Sequence, residues 1–197
     1  MPISISIFLF IKSFLLKEFI SKYKDVFRFI ILFFGVYLIL SLLYGVYLNL
    51  SEGGSYNPDY ITNLVARQSS SLISDIGFDA EVIPHETNTS MKLYIDKQFL
   101  ARIVEGCNAI SIIILFIAFV VAFSQNLKKT LFFVLAGSVL IYGFNIIRIS
   151  ILAIALYQYP QHEKILHEIV FPGLIYGMVF LLWLIWVRML PSKRTSA

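Results

Sequence analysis

Four apolar runs constrain the fold of this chain more than any other feature of its sequence. A helix needs about 20 mostly apolar residues to cross the hydrocarbon core of a bilayer. Hydrophobic residues make up 58% of the chain and charged residues only 14%, which is more apolar surface than a soluble domain can bury. We therefore predict an all-α polytopic membrane protein with about four transmembrane helices, over residues 27–50, 107–124, 131–157 and 168–190.

Basic residues beside these runs predict the orientation of the chain, because cytoplasmic loops carry an excess of lysine and arginine. They flank the first run on its N-terminal side, occupy the 125–130 link and surround the end of the last run: Lys17, Lys22, Lys24, Arg28, Lys128, Lys129, Arg188, Lys193 and Arg194. The 51–106 segment instead holds eight acidic and four basic residues. We predict that both termini, including the 191–197 tail, and the 125–130 link are cytoplasmic, and that residues 51–106 and 158–167 face outward.

Two segments outside the apolar runs have a pattern of their own. Residues 1–26 mix a short apolar stretch with lysines, which predicts an interfacial amphipathic helix; a fifth, tilted span is the alternative. In the 51–106 segment, apolar residues first recur at helical spacing, and "MKLYIDKQFLARI" then alternates as a hairpin does. This segment is therefore predicted to be a small α/β cap on the outer face.

The residue inventory argues against several classes of site. The chain has one cysteine and three histidines, and their spacing matches no metal-ligand motif. Glycine-rich phosphate-binding loops are missing from the sequence. The formal net charge of +4 is explained by the basic residues beside the apolar runs, which does not indicate nucleic-acid binding. We predict no metal, no organic cofactor and membrane lipid as the surrounding medium.

Three reactive side chains come from three different runs but are predicted to lie in one layer. Arg148 lies inside the third run, where a charge is costly and usually marks function. Cys107 begins the second run and His167 lies at the start of the fourth, each at the predicted outer end. A thiol, a guanidinium and an imidazole would thus meet in the outer leaflet. Asn145 shares a helix face with Arg148 and could steady the guanidinium or bind a substrate carbonyl.

These three groups can perform acyl transfer together. A thiolate attacks a carbonyl to form a thioester, and a histidine moves the proton. An arginine stabilises the oxyanion of the tetrahedral intermediate. Taken singly, Cys107 is more often a small packing residue and His167 an interfacial polar residue, whereas a mid-span arginine such as Arg148 is more often functional.

Other polar residues offer alternatives. His162 in the outer link is the competing imidazole, and His85 in the cap is most simply a solvated loop residue. Glu105 and Glu168 adjoin the cysteine and histidine positions and could orient the imidazole. A carboxylate close to the thiol would hinder its ionisation, so both are interpreted as supporting or bystander groups.

Three stretches of the sequence resemble the exosortase/archaeosortase family of membrane cysteine transpeptidases. "VEGCNAIS" resembles its cysteine motif, "NIIRIS" its arginine motif and "LHEIVFPGLIYG" its histidine motif, in the same order. The short form resembles the exosortase F branch of Bacteroidetes. The resemblance implies Cys107 as nucleophile, Arg148 as transition-state stabiliser and His167 as acid and base. It also implies three supporting residues, Gly106, Asn108 and Asn145.

The resemblance also implies partners and a location. Members of the family act in the bacterial inner membrane on exported proteins whose C-terminal sorting signal combines a short motif, a transmembrane helix and a basic tail. They are thought to pass the acyl group to a surface glycan or lipid. The family usually has glycine two positions after the cysteine, where this sequence has Ala109.

Two other functions remain open at this point. A non-enzymatic assembly or export subunit could use Arg148 to bind an anionic group, and would tolerate loss of Cys107. A lipid-directed acyltransferase would use the same three residues as a transpeptidase. Only the acyl group carried on Cys107 would separate it from an enzyme that acts on proteins.

Overall fold

The computed structural model of the chain describes residues 21–54, 56, 58–124 and 126–190. The interfacial helix predicted over residues 1–26, and the tilted span that is its alternative, lie mostly outside these residues. The predicted tail over 191–197 also lies outside them.

Helices and a small sheet make up most of the described residues. The helices are α1 (Lys24–Ser51), α2 (Tyr60–Asp75), α3 (Ile110–Ala122), α4 (Leu127–Gln158) and α5 (Phe171–Met189), and the strands are β1 (Ala80–Pro84), β2 (Met91–Ile95) and β3 (Gln98–Ile103). Short helical pieces connect them: the 3₁₀ turns Glu105–Cys107 and Pro160–His162, the single α turn Glu163–Ile165 and the π-helical stretch Leu166–Val170.

Three of the described helices are long and apolar enough to cross a membrane. They are α1, α4 and the helical stretch Pro160–Met189, which ends in α5, and they coincide with the first, third and fourth predicted spans. At a rise of 1.5 Å per residue, the 32 residues of α4 extend about 48 Å. This is well beyond the roughly 30 Å of a hydrocarbon core, so α4 is either strongly tilted or partly outside the core.

The second predicted span differs from expectation. Residues 107–124 were expected to form one helix, but α3 has 13 residues and extends only about 20 Å. The physical reason is local, because Cys107 ends a 3₁₀ turn and Ala109 has a left-handed backbone. The α-helix therefore begins only at Ile110.

A membrane-like core forms where α3 packs between the longer helices. Its buried members are all apolar: Ala109, Phe116, Val120, Ile141, Val179, Leu182 and Trp186. The ring of Phe116 lies so close to the backbone of Gly137 on α4 that a Cβ there would overlap it. The close approach of α3 and α4 therefore depends on this glycine.

The predicted hairpin is present, as β2 and β3, and an additional strand extends the sheet. The order is β1-β2-β3 and both pairings are antiparallel, with a bulge at Leu93/Tyr94. Helix α2 lies in the part of the segment where helical spacing was seen, and Asp59 caps its N-terminus by accepting from the N–H groups of Ile61 and Thr62. Helix α2 and this sheet are called the cap below.

The core of the cap is completed by α4. Ile149 and Ala153 of α4 belong to the same buried cluster as the apolar residues of α2 and the sheet. Side chains of α4 also bond to the cap: Ser150 Oγ donates to the carbonyl of Ser69 (3.2 Å), and Tyr157 donates to Asp96 (2.7 Å). A segment of this size is too small for a stable core alone, so the cap is built around the last third of α4.

Candidate active site at the junction of the cap and the helices

Cys107 lies where the cap joins the membrane-like core. It ends the 3₁₀ turn that directly follows β3, and its side chain is half-buried. Its N–H donates to the carbonyl of Val104 (2.8 Å). Its own carbonyl oxygen accepts a hydrogen bond from Nδ2 of Asn145 (2.7 Å), which is 1% exposed. The backbone of Cys107 is therefore held from both sides.

Asn145 makes a contact that was not predicted from the sequence. Its side-chain nitrogen donates to the backbone of Cys107. The roles predicted for it, toward the guanidinium of Arg148 or a substrate carbonyl, stay predictions. Thirty-eight residues separate the two partners, and helical spacing within one run cannot reveal such a contact.

Asn108 connects three elements beside the cysteine. Its buried Nδ2 donates to the hydroxyl of Tyr44 on α1 (2.7 Å) and to Oγ1 of Thr62 on α2 (3.0 Å). Its Oδ1 accepts from the N–H of Ile110, the first residue of α3 (2.9 Å).

Sequence reasoning interpreted the aromatic residues of the spans as ordinary interfacial packing, and so missed Tyr44. The signal available was a pair of tyrosines three residues apart in an apolar run, Tyr44 and Tyr47.

The backbone conformation of Ala109 explains why the family motif usually has glycine at this position. The residue is buried and its φ is +65°, in the left-handed region. Residues with a Cβ adopt this region at a cost of roughly 1–2 kcal/mol, whereas glycine adopts it freely. The chain must turn here from the 3₁₀ turn into α3. Alanine makes that turn under strain.

Arg148 and Cys107 line the same cavity. Its volume is about 240 Å³, and its walls come from β2, β3, the 3₁₀ turn, α4 and Pro172 of α5. Gly106 also lines it, and a side chain there would meet open space. Nε of Arg148 is buried and has no hydrogen-bond partner among the described residues. A buried guanidinium N–H without a partner is costly. Arg148 itself lines the cavity, where a ligand can contact it.

Arg102 of β3 is a second basic residue in the wall of this cavity. Sequence reasoning counted it among the basic residues of the cap but did not single it out. An exposed basic residue in a short strand has no distinguishing pattern. Only the pairing of β3 with β2, and its approach to α4, place it beside Cys107.

His167 lies in the π-helical stretch Leu166–Val170, directly before α5. Stretches of π-helix are rare and often occur at functional sites. Pro172, five residues further on, lines the cavity. The placement of the His167 side chain lies outside what the structure describes, so its meeting with Cys107 stays a prediction.

The alternative polar residues have different surroundings. His162, the competing imidazole, is exposed on its 3₁₀ turn, with its ring edge-on to Tyr159 (6.4 Å between centroids). Glu105 is partly buried, and Glu168 is exposed. In the described part of the chain, no group of three or more histidine, cysteine, aspartate or glutamate residues could hold a metal ion.

His85 belongs to a loop of the cap and bonds locally. Its Nδ1 accepts from the N–H groups of Thr87 and Asn88 (both 3.2 Å). Partial loss of solvent, followed by the positive charges of Lys92 and Arg102, lowers the pKa of His85. The neutral ring is therefore the form that the loop favours.

Comparison with known proteins identifies the family. The model of the family described as Transmembrane exosortase (Exosortase_EpsH) matches residues 25–187, which is most of the chain. No curated protein and no solved structure is significantly similar to it. The match includes all three motifs, the cap and the long apolar helices. The chain is therefore an integral membrane protein of the transmembrane exosortase family.

Proposed function

We propose that this chain is a membrane-embedded cysteine endopeptidase and transpeptidase that cleaves the C-terminal sorting signals of exported proteins. The observation that carries the proposal is the shared cavity of Cys107 and Arg148, with Nε of Arg148 buried and unpartnered among the described residues. A cysteine beside a fixed guanidinium suits attack on a carbonyl, because the donors of the arginine meet the oxyanion that forms.

The reaction has two halves. The Cys107 thiolate adds to the scissile carbonyl, and the tetrahedral oxyanion is stabilised by Arg148. The C–N bond then breaks, His167 protonates the leaving amine, and the acyl part stays on the sulfur as a thioester. In the second half an acceptor, which is water or a nucleophilic group of a surface glycan or lipid, loses its proton to His167 and displaces the thiolate.

The neighbouring residues position this chemistry. Asn145 and Asn108 fix the backbone on both sides of the reacting sulfur. Gly106 leaves open space beside it, which a substrate chain needs. A displacement of about 1 Å at a reacting group can cost a hundredfold in rate, so these contacts matter although none of them touches the substrate.

The proposed setting is the outer face of a bacterial inner membrane. The basic residues around the ends of the apolar runs support cytoplasmic termini. With that orientation, the cap and the cavity would lie on the outer side. A substrate there would reach the cavity after export, with its own transmembrane helix still in the bilayer. The short chain is further assigned to the exosortase F branch, on its resemblance in length and motifs.

The test compares the C-termini of envelope and secreted proteins, by mass spectrometry, between native cells with the intact chain and cells with Cys107→Ala at equal abundance. The expected result is a set of proteins that keep a C-terminal helix and basic tail only in the variant. Identical C-termini in both cells would refute the proposal. A role in assembly, or acyl transfer to lipid, would then be favoured.

A further inference from the structure

Two cavities follow one another along β3, and together they are called the groove below. The cavity that contains Cys107 is lined by Ala101, Arg102 and Ile103, and a second cavity of about 180 Å³ is lined by Gln98, Phe99 and Leu100. Every residue of the strand is thus a wall residue. The groove ends at the 3₁₀ turn of Cys107, which follows β3 directly.

Helix α4 forms the opposite wall of the same groove. Leu152 and Ala153 face the first cavity and Leu156 faces the second. These positions advance along one side of α4 toward its C-terminus at Gln158. The groove therefore leads from Cys107 away from the membrane-like core, and Glu163 lies at its far end.

The edge of β3 that points away from β2 is free within the described part of the chain. The strand order is β1-β2-β3, so β3 pairs with β2 on one side only. The other edge of the sheet is blunted: β1 ends in Pro84, and the carbonyl of Ala80 accepts from Ser70 of α2 (2.9 Å). Natural sheets usually cover or blunt a free edge, because it can pair with another chain.

We propose that the exported substrate binds as an extended strand on the free edge of β3, with its scissile bond at Cys107. This inference rests on the proposed function and names how the substrate is held. Backbone hydrogen bonds to a strand edge bind a peptide largely independently of its sequence, and side-chain pockets add selectivity. The six residues of β3 include one extra residue at the bulge and pair with five residues of β2, so they match about five residues of substrate.

The direction of the groove indicates which segment of the substrate lies on β3. The transmembrane helix of the substrate follows the cut and remains in the bilayer, whereas the groove leads away from the membrane-like core. The segment on β3 is therefore the one before the scissile bond, which becomes the acyl part of the thioester. Held along a strand, its carbonyl is oriented before Cys107 attacks.

The test uses cysteine cross-linking, because Cys107 is the only cysteine of the chain. In a Cys107→Ser background, Gln98→Cys and Arg102→Cys are introduced one at a time, with Ile83→Cys on β1 as the matched control. The partner is an envelope protein left unprocessed in Cys107→Ala cells, with single cysteines at successive positions before its cut site. Disulfide formation in membranes is read on non-reducing gels.

Strand pairing predicts a register. Arg102→Cys should capture substrate positions near the cut and Gln98→Cys positions about three residues further away, because Arg102 and Gln98 pair with Lys92 and Ile95 of β2 across the bulge. Alternate positions should react more strongly, since successive side chains of a strand point to opposite faces. Ile83→Cys should capture none.

Cross-links spread evenly over all positions, or equally strong cross-links from Ile83→Cys, would overturn strand pairing. The proposed function would survive that result, since the substrate was defined by its dependence on Cys107. If no protein depends on Cys107, the terminal comparison has already refuted the proposed function, and strand pairing falls with it.

Discussion

The side-chain amide of Asn145 donates to the carbonyl oxygen of Cys107 at 2.7 Å, and so ties the middle of the longest helix to the residue proposed as nucleophile. Because Arg148 lies one helical turn further along α4, the same helix sets both the position of the cysteine and that of the guanidinium. The geometry of the site therefore depends on where α4 sits against the cap.

Asn145→Ala should misplace Cys107 without removing any proposed catalytic group. The buried carbonyl loses its donor, which costs about 1–3 kcal/mol. We expect substrate processing to fall at least tenfold and alkylation of the Cys107 thiol by a small reagent to change its rate. Ser150→Ala, which removes another α4 bond to the cap, is the matched control. If Asn145→Ala processes substrate normally, the hydrogen bond between Asn145 and Cys107 has no role in the reaction.

Arg148→Met should make the protein more stable but much less active. The variant removes a buried N–H that has no partner among the described residues, and a buried unpaired polar group typically costs about 1–3 kcal/mol. We expect a higher thermal midpoint in detergent together with a loss of processing of about a hundredfold or more. Arg148→Lys should also be defective, because an ammonium lacks the planar fork of donors. A variant that is less stable and still active would contradict the role given to this residue.

Ala109→Gly should stabilise the protein. The φ of +65° at Ala109 costs alanine about 1 kcal/mol or more relative to glycine. Ala118→Gly is the matched control: Ala118 is buried within α3, and glycine there should destabilise by about 1 kcal/mol. Thermal unfolding in detergent measures both. A fall in the thermal midpoint with Ala109→Gly would mean that the left-handed turn is not present in the folded protein.

The cap should lose stability as the pH falls below about 6.5, the ordinary pKa of histidine. The pKa of His85 is lowered by partial loss of solvent and by Lys92 and Arg102. Between this lowered pKa and about 6.5 the unfolded chain binds more protons than the folded one, so stability rises with pH in that window. Hydrogen exchange of the cap amides at pH 5.5 and 7.5 measures this. The difference should shrink in His85→Gln; if it persists, another group carries it.

The sequence predicted those parts of the fold that depend on local pattern. Long apolar runs are enough to indicate α1, α4 and α5, and alternation is enough to indicate the hairpin of β2 and β3. Strand β1 was missed because "AEVIP" is short and ends in proline. The short length of α3 depends on the backbone of Ala109, which hydrophobic periodicity cannot show.

The candidate site was also predictable only in part, because a local sequence pattern does not show tertiary contacts. A charge in an apolar run and a lone cysteine at its end are visible in the sequence, and topology alone brought them to one layer. The contacts of Asn145 with Cys107, and of Asn108 with Tyr44 and Thr62, join residues 38 to 64 positions apart. Such contacts follow from tertiary packing of the cap on α4.

The most direct measurement of the central claim is the mass of the group carried on Cys107. Cells would be quenched in acid, and the Cys107 peptide would be compared before and after hydroxylamine, which cleaves thioesters. The account predicts a polypeptide adduct that ends at the new C-terminus of an exported protein and is absent from Cys107→Ala cells. A fatty acyl group on Cys107, or the same new C-termini in Cys107→Ala cells, would contradict it.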